Sequence, residues 1–455
     1  MSWHQKVRYL EEQIALRDET IKKLSDRIYC LEKHVKYLES VISQFNNENT
    51  PSSQKPQWEK KSSPERINKE KKPIGKPKGS NGGTMQTPNI DEEILVTLNK
   101  YEDYLGNPIN FIEQIVGDIP PPSRIKWIKY WLAQYIDPAT GDIITATHPN
   151  CPKEGIFGPN FRTIITLLRE RVKISEQQTI EFLGSLYGLK GIASGTIEAE
   201  LSRTANMIRA DYDAIGEAVN ESAIKHSDET GQSLNGINWC MYCFSTPQFT
   251  YFFSEEKKNS EHIKRRLHDD WNKVLVCDGH SIYTWWHAKQ RCWGHATRKD
   301  KWLIEEKKTK ERELLHEYIS GTFNLSKGIL AKSFPSVYNL WDVMCLRNRL
   351  RNAIKYKWRD KKCQKAANYM ENGFDDWFTF MLVPGVEPTN NLNGRHIRKH
   401  VMKRKVSGAF RSERGLKNHC IILSVIETWR KKGMNVYETL IERMKLNNSE
   451  IKWAA

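Results

Sequence analysis

The chain has 455 residues, 38% of them hydrophobic, and carries 71 Lys and Arg against 55 Asp and Glu, a formal charge of +16. That much apolar material can build the cores of roughly two to four domains and excludes a disordered chain, while the charge favours a polyanionic partner, nucleic acid above all. No apolar run is long enough to span a membrane, Met1–Leu10 lacks the apolar stretch of a signal peptide, and nine scattered cysteines make no disulfide framework, so the expected place is the cytoplasm, at the nucleoid.

Residues 1–46 keep a seven-residue repeat: Val7, Ile14, Ile21, Ile28, Val35 and Ile42 at one position, Leu10, Leu24, Leu31, Leu38 and Phe45 at the other, with Arg17 the only break. β-Branched residues at the first position and mostly Leu at the second pack best in a parallel two-stranded coiled coil, which predicts a homodimer. Residues 47–89 are rich in Lys, Pro and Gly, among them Pro51, Pro56, Gly75, Pro77, Gly82 and Gly83; this is a basic flexible linker.

Residues 90–158 read as a small β-rich module, with strand-like runs at Phe111–Val116 and Lys126–Tyr135. Residues 159–222 read as helical: Asn160–Arg171, Ser175–Tyr187, a turn containing Gly188, Gly191 and Gly195, then Thr196–Val219. Ser175 followed by Gln178 has the form of a capping box. Helix, glycine turn and helix fit a helix-turn-helix reader of DNA and equally an ordinary helical hairpin.

Residues 223–298 form the first part of the predicted core. A strand ends at Asp228 and is followed by a turn, a hairpin follows at Ile237–Phe244 and Phe249–Phe253, a helix at Ser260–His268 crosses over, and a fourth strand ends at Asp278. Three antiparallel strands, a crossover and a fourth strand parallel to the first is the ribonuclease-H-like order. It predicts an α/β core with a mixed five-stranded sheet in which Asp228 and Asp278 come together. Two carboxylates delivered from neighbouring strands suit hard divalent cations, which leave room for phosphate oxygens. His226 shares the Asp228 face by alternation, either to support that site or simply as a packed histidine. Cys292, His295 and Arg298 follow the fourth strand; the first two have a spacing that permits metal ligation or a nucleophile-base pair, although a fifth strand leading into a helix with a structural histidine is the plainer account.

Residues 299–380 are a helix-rich basic insertion, and 381–455 return to the core. The densest basic cluster runs through Arg395, Arg398, Lys399, Lys403, Arg404, Lys405, Arg411, Arg414 and Lys417, interleaved with Ile397, Val401, Val406 and Phe410. Such a segment predicts contact with a DNA backbone, with Arg298 as a further candidate. Cys240 and Cys243 form a Cys-x-x-Cys inside an apolar strand with no second pair, so they are expected to pack rather than bind zinc.

Seven blocks, in order, carry a resemblance: His226-Ser-Asp-Glu-Thr-Gly231, Asn235-Gly-Ile-Asn-Trp239, Val276-Cys-Asp-Gly-His-Ser-Ile-Tyr283, Arg291-Cys-Trp-Gly-His-Ala-Thr-Arg298, Gly385-Val-Glu-Pro-Thr-Asn-Asn391, Arg404-Lys-Val-Ser-Gly-Ala-Phe-Arg-Ser-Glu-Arg-Gly415 and Ser424-Val-Ile-Glu-Thr-Trp429. The set resembles the insertion sequence 66 family of transposases. The resemblance implies a DDE transposase that nicks and joins DNA strands with Mg²⁺ or Mn²⁺, two ions in all, acting on the ends of its own element and a target duplex, with accessory proteins of the element in some relatives. Asp228 and Asp278 match the family's first two acids. The third is open: relatives commonly read Asn-Asn-x-x-Glu-Arg where this chain has Asn390-Asn-Leu-Asn-Gly394-Arg395, so the ligand is Glu387, Glu413, or lost at Gly394. A chain that has lost it is a catalytically inactive DNA-binding protein. Relatives also carry paired cysteines in the small module, where this chain has Tyr101, Tyr104 and a lone Cys151; no zinc is expected there.

Overall fold

The computed structural model describes residues 123–136, 141–269, 273–336 and 339–449, the backbone of 452–453 and the single residue Glu32. The heptad segment, the linker and the first part of the small module lie outside the described residues. Of the strand-like run Lys126–Tyr135, only the last two residues enter a strand, β1 (Gln134–Ile136), which pairs antiparallel with β2 (Ile143–Thr145).

Four helices precede the main sheet. The first, α1 (Pro159–Thr166), starts with proline at its first position, where the missing N–H costs nothing, and runs on into a π-helical turn, Leu167–Val172. The predicted capping box holds at α2 (Glu176–Tyr187): the Gln178 amide donates to Ser175 Oγ at 3.2 Å and the Ser175 amide to Gln178 Oε1 at 2.9 Å. Gly188 closes this helix at φ +66°, a left-handed conformation that glycine adopts without strain. The single helix expected over Thr196–Val219 is divided at Ile208 (ψ 15°) into α3 (Ser194–Met207) and α4 (Arg209–Glu221).

The sheet is built from β3 (Ile224–Leu234), β4 (Ile237–Ser245), β5 (Thr250–Glu256), β6 (Val274–Cys277) and β7 (Ala288–Arg291), in the order β5-β4-β3-β6-β7. Strands β3, β4 and β5 are antiparallel; β6 runs parallel to β3, and β7 parallel to β6. Asn235 and Gly236, both at positive φ (47° and 83°), make the two-residue turn between β3 and β4, as Asn-Gly favours. The crossover from β5 to β6 holds a short helix, α5 (Ser260–Lys264), four residues shorter than the expected Ser260–His268. This mixed five-stranded sheet is compatible with a ribonuclease-H-like core.

After β7 come α6 (Trp293–Glu306), α7 (Lys310–His316), α8 (Thr322–Leu330), α9 (Leu340–Lys355), α10 (Lys361–Glu371) and the one-turn α11 (Thr379–Leu382). The chain then returns to the sheet with α12 (Asn391–Ser407), α13 (Glu413–Lys431) and α14 (Val436–Ser449), and β8 (Lys452–Trp453) pairs with β2.

Strand alternation sorts the core into two faces. On one, Tyr242, Phe244, Phe253, Leu275 and Cys277 pack with Ile197, Leu201, Ile215 and Val219 of α3 and α4. On the other, Val274 and Val276 meet Trp293, Ala296 and Phe380, while Met241, Cys243 and Phe252 meet Ile397 and Leu416. Each fully buried Leu, Val or Phe contributes roughly 1.5–3 kcal/mol. Edge strand β5 is covered by α13: the Phe252 amide donates to Ser424 Oγ (2.8 Å) and the Thr250 amide to Thr428 Oγ1 (3.1 Å), while Tyr212 from α4 donates its hydroxyl to the Phe252 carbonyl (2.9 Å). Unpaired edge groups are thereby satisfied from within the chain.

Candidate functional site

The first strand does not end at Asp228 as expected: its pairing with β4 carries β3 on to Leu234, so Asp228 lies mid-strand, while the parallel pairing sets His226 opposite Val276 and Asp278 directly follows Cys277, the last residue of β6. His226 and Thr230, which flank Asp228 on its own face, meet Asn390 and Arg404 of the α12 region, whereas Ser227 and Glu229 both bond Tyr283 on the opposite face. Val274 and Val276 face Trp293 and Phe380, and Asp278, just beyond β6, is near enough for its charge to act on the Asp228 carboxyl.

Each acid is oriented locally. Asp228 Oδ1 accepts from the Glu229 amide at 3.0 Å, and Asp278 Oδ1 accepts from the His280 amide at 2.8 Å. Burial, followed by the charges of Glu229 and Asp278, pushes the Asp228 carboxyl up to about 8, against a smaller opposing pull from the Glu229 amide and Lys258. The Glu229 carboxyl is also raised by burial and by Asp278, although Lys258 pairs with it and the Tyr283 hydroxyl donates to it. Three carboxyls, Asp228, Glu229 and Asp278, thus crowd the middle of β3 and the end of β6, and their mutual repulsion is what a bound cation would offset.

Two asparagines dock α12 on this end of the sheet. Asn390 donates Nδ2 to the Ser227 carbonyl (2.6 Å), turns Oδ1 toward His226 Nδ1 (3.2 Å), and donates its amide to Cys292 Sγ (3.1 Å). Asn393 donates to the Cys243 carbonyl (2.7 Å) and accepts from Ser245 Oγ (3.0 Å). Cys292 is a buried acceptor in this joint, and Cys243 donates to Asn393 Oδ1. Burial keeps the His226 imidazole neutral, its pKa lowered to about 4. His295, in the first turn of α6, is lowered by burial against the pull of Asp278, and its Nδ1 is buried without a hydrogen-bond partner.

The three candidates for a third acid fall on three different elements: the loop before α12, α12 itself and the start of α13. Glu387 is exposed on the loop before α12, between buried Val386 and Pro388, whose carbonyl accepts from the Trp293 amide at 3.0 Å. Glu413 opens α13, exposed, and pairs with Lys417. Gly394 lies one turn into α12, on the helix side shared with Asn390 and Ile397, and a Cβ built there meets nothing within 4 Å. Among the described residues no three His, Cys, Asp or Glu side chains gather closely enough to hold a metal ion. Asp228 and Asp278 offer the carboxylate oxygens that a hard divalent cation takes, and the described geometry brings no third ligand to them.

The basic cluster divides by exposure. Arg298, Arg395, Arg398, Lys405, Arg411 and Arg414 face solvent. Lys399 pairs with Glu427, and Arg404 donates to the Gly231 carbonyl. Lys403, grouped with the DNA-facing residues by its place in the sequence, is 3% exposed and sits in a buried ion pair with Glu170, beside His419. Its helix position turns it inward, so it is not available to a phosphate. Sequence reading gave no role to Glu229, Lys258, Asn390, Asn393 or Tyr369. Only the asparagines carried a signal, as polar residues at a helix start.

A profile of the Transposase IS66 family matches residues 177–418, and a comparison with curated proteins finds no match. The matched span is more than half of the chain and takes in both aspartates, the whole five-stranded sheet, the helical insertion and the asparagine-anchored α12; the protein is a member of the insertion sequence 66 family of transposases.

Proposed function

We propose that this protein cleaves and joins DNA strands at the ends of its own element, with Asp228 and Asp278 as the carboxylates that hold Mg²⁺ or Mn²⁺. The observation that supports the reading is Asp228 on β3 with Asp278 at the end of the neighbouring parallel strand β6, and the Asp228 carboxyl raised by burial and by the charges of Glu229 and Asp278. A divalent cation bound there supplies Lewis-acid activation of a phosphodiester oxygen and of an attacking water or 3′ hydroxyl. The protein's own groups orient the acids, exclude water from the β3–β6 end through Asn390 and His226, and present Arg298, Arg395, Arg398, Lys405, Arg411 and Arg414 to the phosphate backbone. Residues 1–46 pair two copies, so that two element ends are held in one complex.

Glu387 is the acid available to complete the set in the native chain: it is exposed, and its loop leads directly into Asn390. A second reading, a DNA-binding member of the family without turnover, is favoured by the open space at Gly394 on the α12 side that faces β3. Metal-dependent cleavage of a DNA fragment carrying the element end separates the two. Activity in the native chain that disappears in Glu387→Ala, Asp228→Ala and Asp278→Ala, with DNA binding kept, supports the first. Silence in the native chain with activity gained in Gly394→Glu supports the second. Cleavage retained in either aspartate variant sinks the site assignment.

A further inference from the structure

The loop that carries Asp278 is gripped from the helical insertion. Arg291 ends β7 beside Cys277, and its side chain is buried, 4% exposed. Its Nη2 donates to the Gly279 carbonyl at 3.1 Å and its Nη1 to the Tyr369 carbonyl at 3.0 Å. The guanidinium lies over the rings of Tyr369 (4.6 Å) and Trp377 (5.1 Å). Tyr369, on α10, closes the circuit by donating its hydroxyl to the Asp278 carbonyl at 2.7 Å. The carbonyls of two successive residues, 278 and 279, are therefore both held by groups that meet on the insertion.

The space around Arg291 is cut to fit. A Cβ at Gly279, whose φ is +84°, would stand 2.1 Å from Arg291 Nη2, and a Cβ at Gly373 would stand 2.1 Å from Arg291 Cδ. Both backbones can approach the guanidinium only as glycine. Among the described residues no carboxylate lies within ion-pair distance of Arg291; Asp376 acts on it at longer range, and its direct contacts are carbonyls and aromatic faces. A buried, permanently charged side chain without an anionic partner is costly. Packing alone does not call for it, whereas fixing two consecutive carbonyls beside an acidic site does.

We propose that Arg291 and Tyr369 are positioning residues through which the insertion sets the orientation of Asp278. The proposal rests on the reading of Asp278 as a cation ligand. With the 278 and 279 carbonyls fixed, the backbone that carries the Asp278 carboxylate is held, and the His280 amide orients its Oδ1 at 2.8 Å. Partners that orient a metal-binding carboxylate typically change affinity by about 10–100-fold when removed.

The test uses the full chain with Mn²⁺ as the probe, its binding followed by electron paramagnetic resonance, together with native-state amide exchange. Tyr369→Phe keeps the ring, its packing and its contact with Arg291, and removes only the hydroxyl. The expected result is a roughly tenfold weaker Mn²⁺ affinity, faster exchange confined to residues 278–280, and an unfolding temperature close to native. Arg291→Lys, which keeps the charge but loses the fork, should do the same. Native Mn²⁺ affinity and unchanged exchange at 278–280 in both variants overturn the proposal. Asp278→Asn separates this outcome from a failure of the underlying reading. If Mn²⁺ binding is the same in Asp278→Asn as in the native chain, Asp278 is not a ligand, and the proposal falls even where exchange rises.

Discussion

The side-chain amide of Asn390 donates to the main-chain carbonyl of Ser227 at 2.6 Å, joining the start of α12 to the strand residue immediately before Asp228. One residue thereby ties the C-terminal part of the chain to the acid face of the sheet, across 163 positions of sequence. The same side chain meets His226, so its loss leaves two polar groups without partners in a buried place.

Asn390→Ala should therefore cost about 1–3 kcal/mol of stability, the usual penalty for a buried group left unsatisfied. Denaturant unfolding of the full chain checks this. Asn390→Asp should not rescue it, because a carboxylate cannot donate to the Ser227 carbonyl.

Lys403 and Arg398 lie five residues apart on one helix, and their substitutions should have opposite signatures. Lys403→Ala leaves Glu170 buried beside His419 without its ammonium, and should destabilise the fold by about 3–5 kcal/mol. Arg398→Ala should leave stability within about 0.5 kcal/mol of native and lower the slope of log K against log salt for DNA binding by about 1. A lowered salt slope in a folded Lys403 variant would contradict the buried assignment.

His396 is buried on α12, its pKa lowered to about 3 by burial and by the charges of Lys431, Lys399, Arg395 and Arg430, with Glu427 3.8 Å away pulling the other way. The folded state thus prefers the neutral ring. Its contribution is fully present above the unfolded value near 6.5 and is lost as pH falls from there toward 3. His396→Gln should make the acid limb of the stability profile shallower by up to about 1.4 kcal/mol per pH unit over that window. Unfolding curves between about pH 4 and about pH 7 test it, and an unchanged slope would count against the burial.

The dimer proposed for residues 1–46 has a direct test. Replacing Ile21 and Ile28 together by Lys puts charge at two buried seam positions, and should turn a dimer into a monomer in sedimentation. An unchanged mass would show that this repeat is not the contact between copies.

Local chemistry by itself determined the strand ending at Asp278, the Asn235-Gly236 hairpin, the Ser175–Gln178 cap and the order of the first four sheet strands. Each of these depends on neighbours within a few residues or on alternation, and both are visible along the chain. The division of the basic cluster was not visible in this way. Lys403 and Arg398 are alike as residues, and only the angle of α12 on the sheet, set by Asn390 and Asn393, turns one toward Glu170 and leaves the other in solvent. The break at Ile208, the π-helical turn before α2 and the grip of Tyr369 on Asp278 likewise wait on packing. The last contact spans 91 residues, and no local pattern specifies which tyrosine of the insertion reaches the loop. Sequence determined which groups are present and in what order the strands come; tertiary packing decided which of them share a face, because side-chain direction across a long-range contact is fixed only when the elements that carry it are docked.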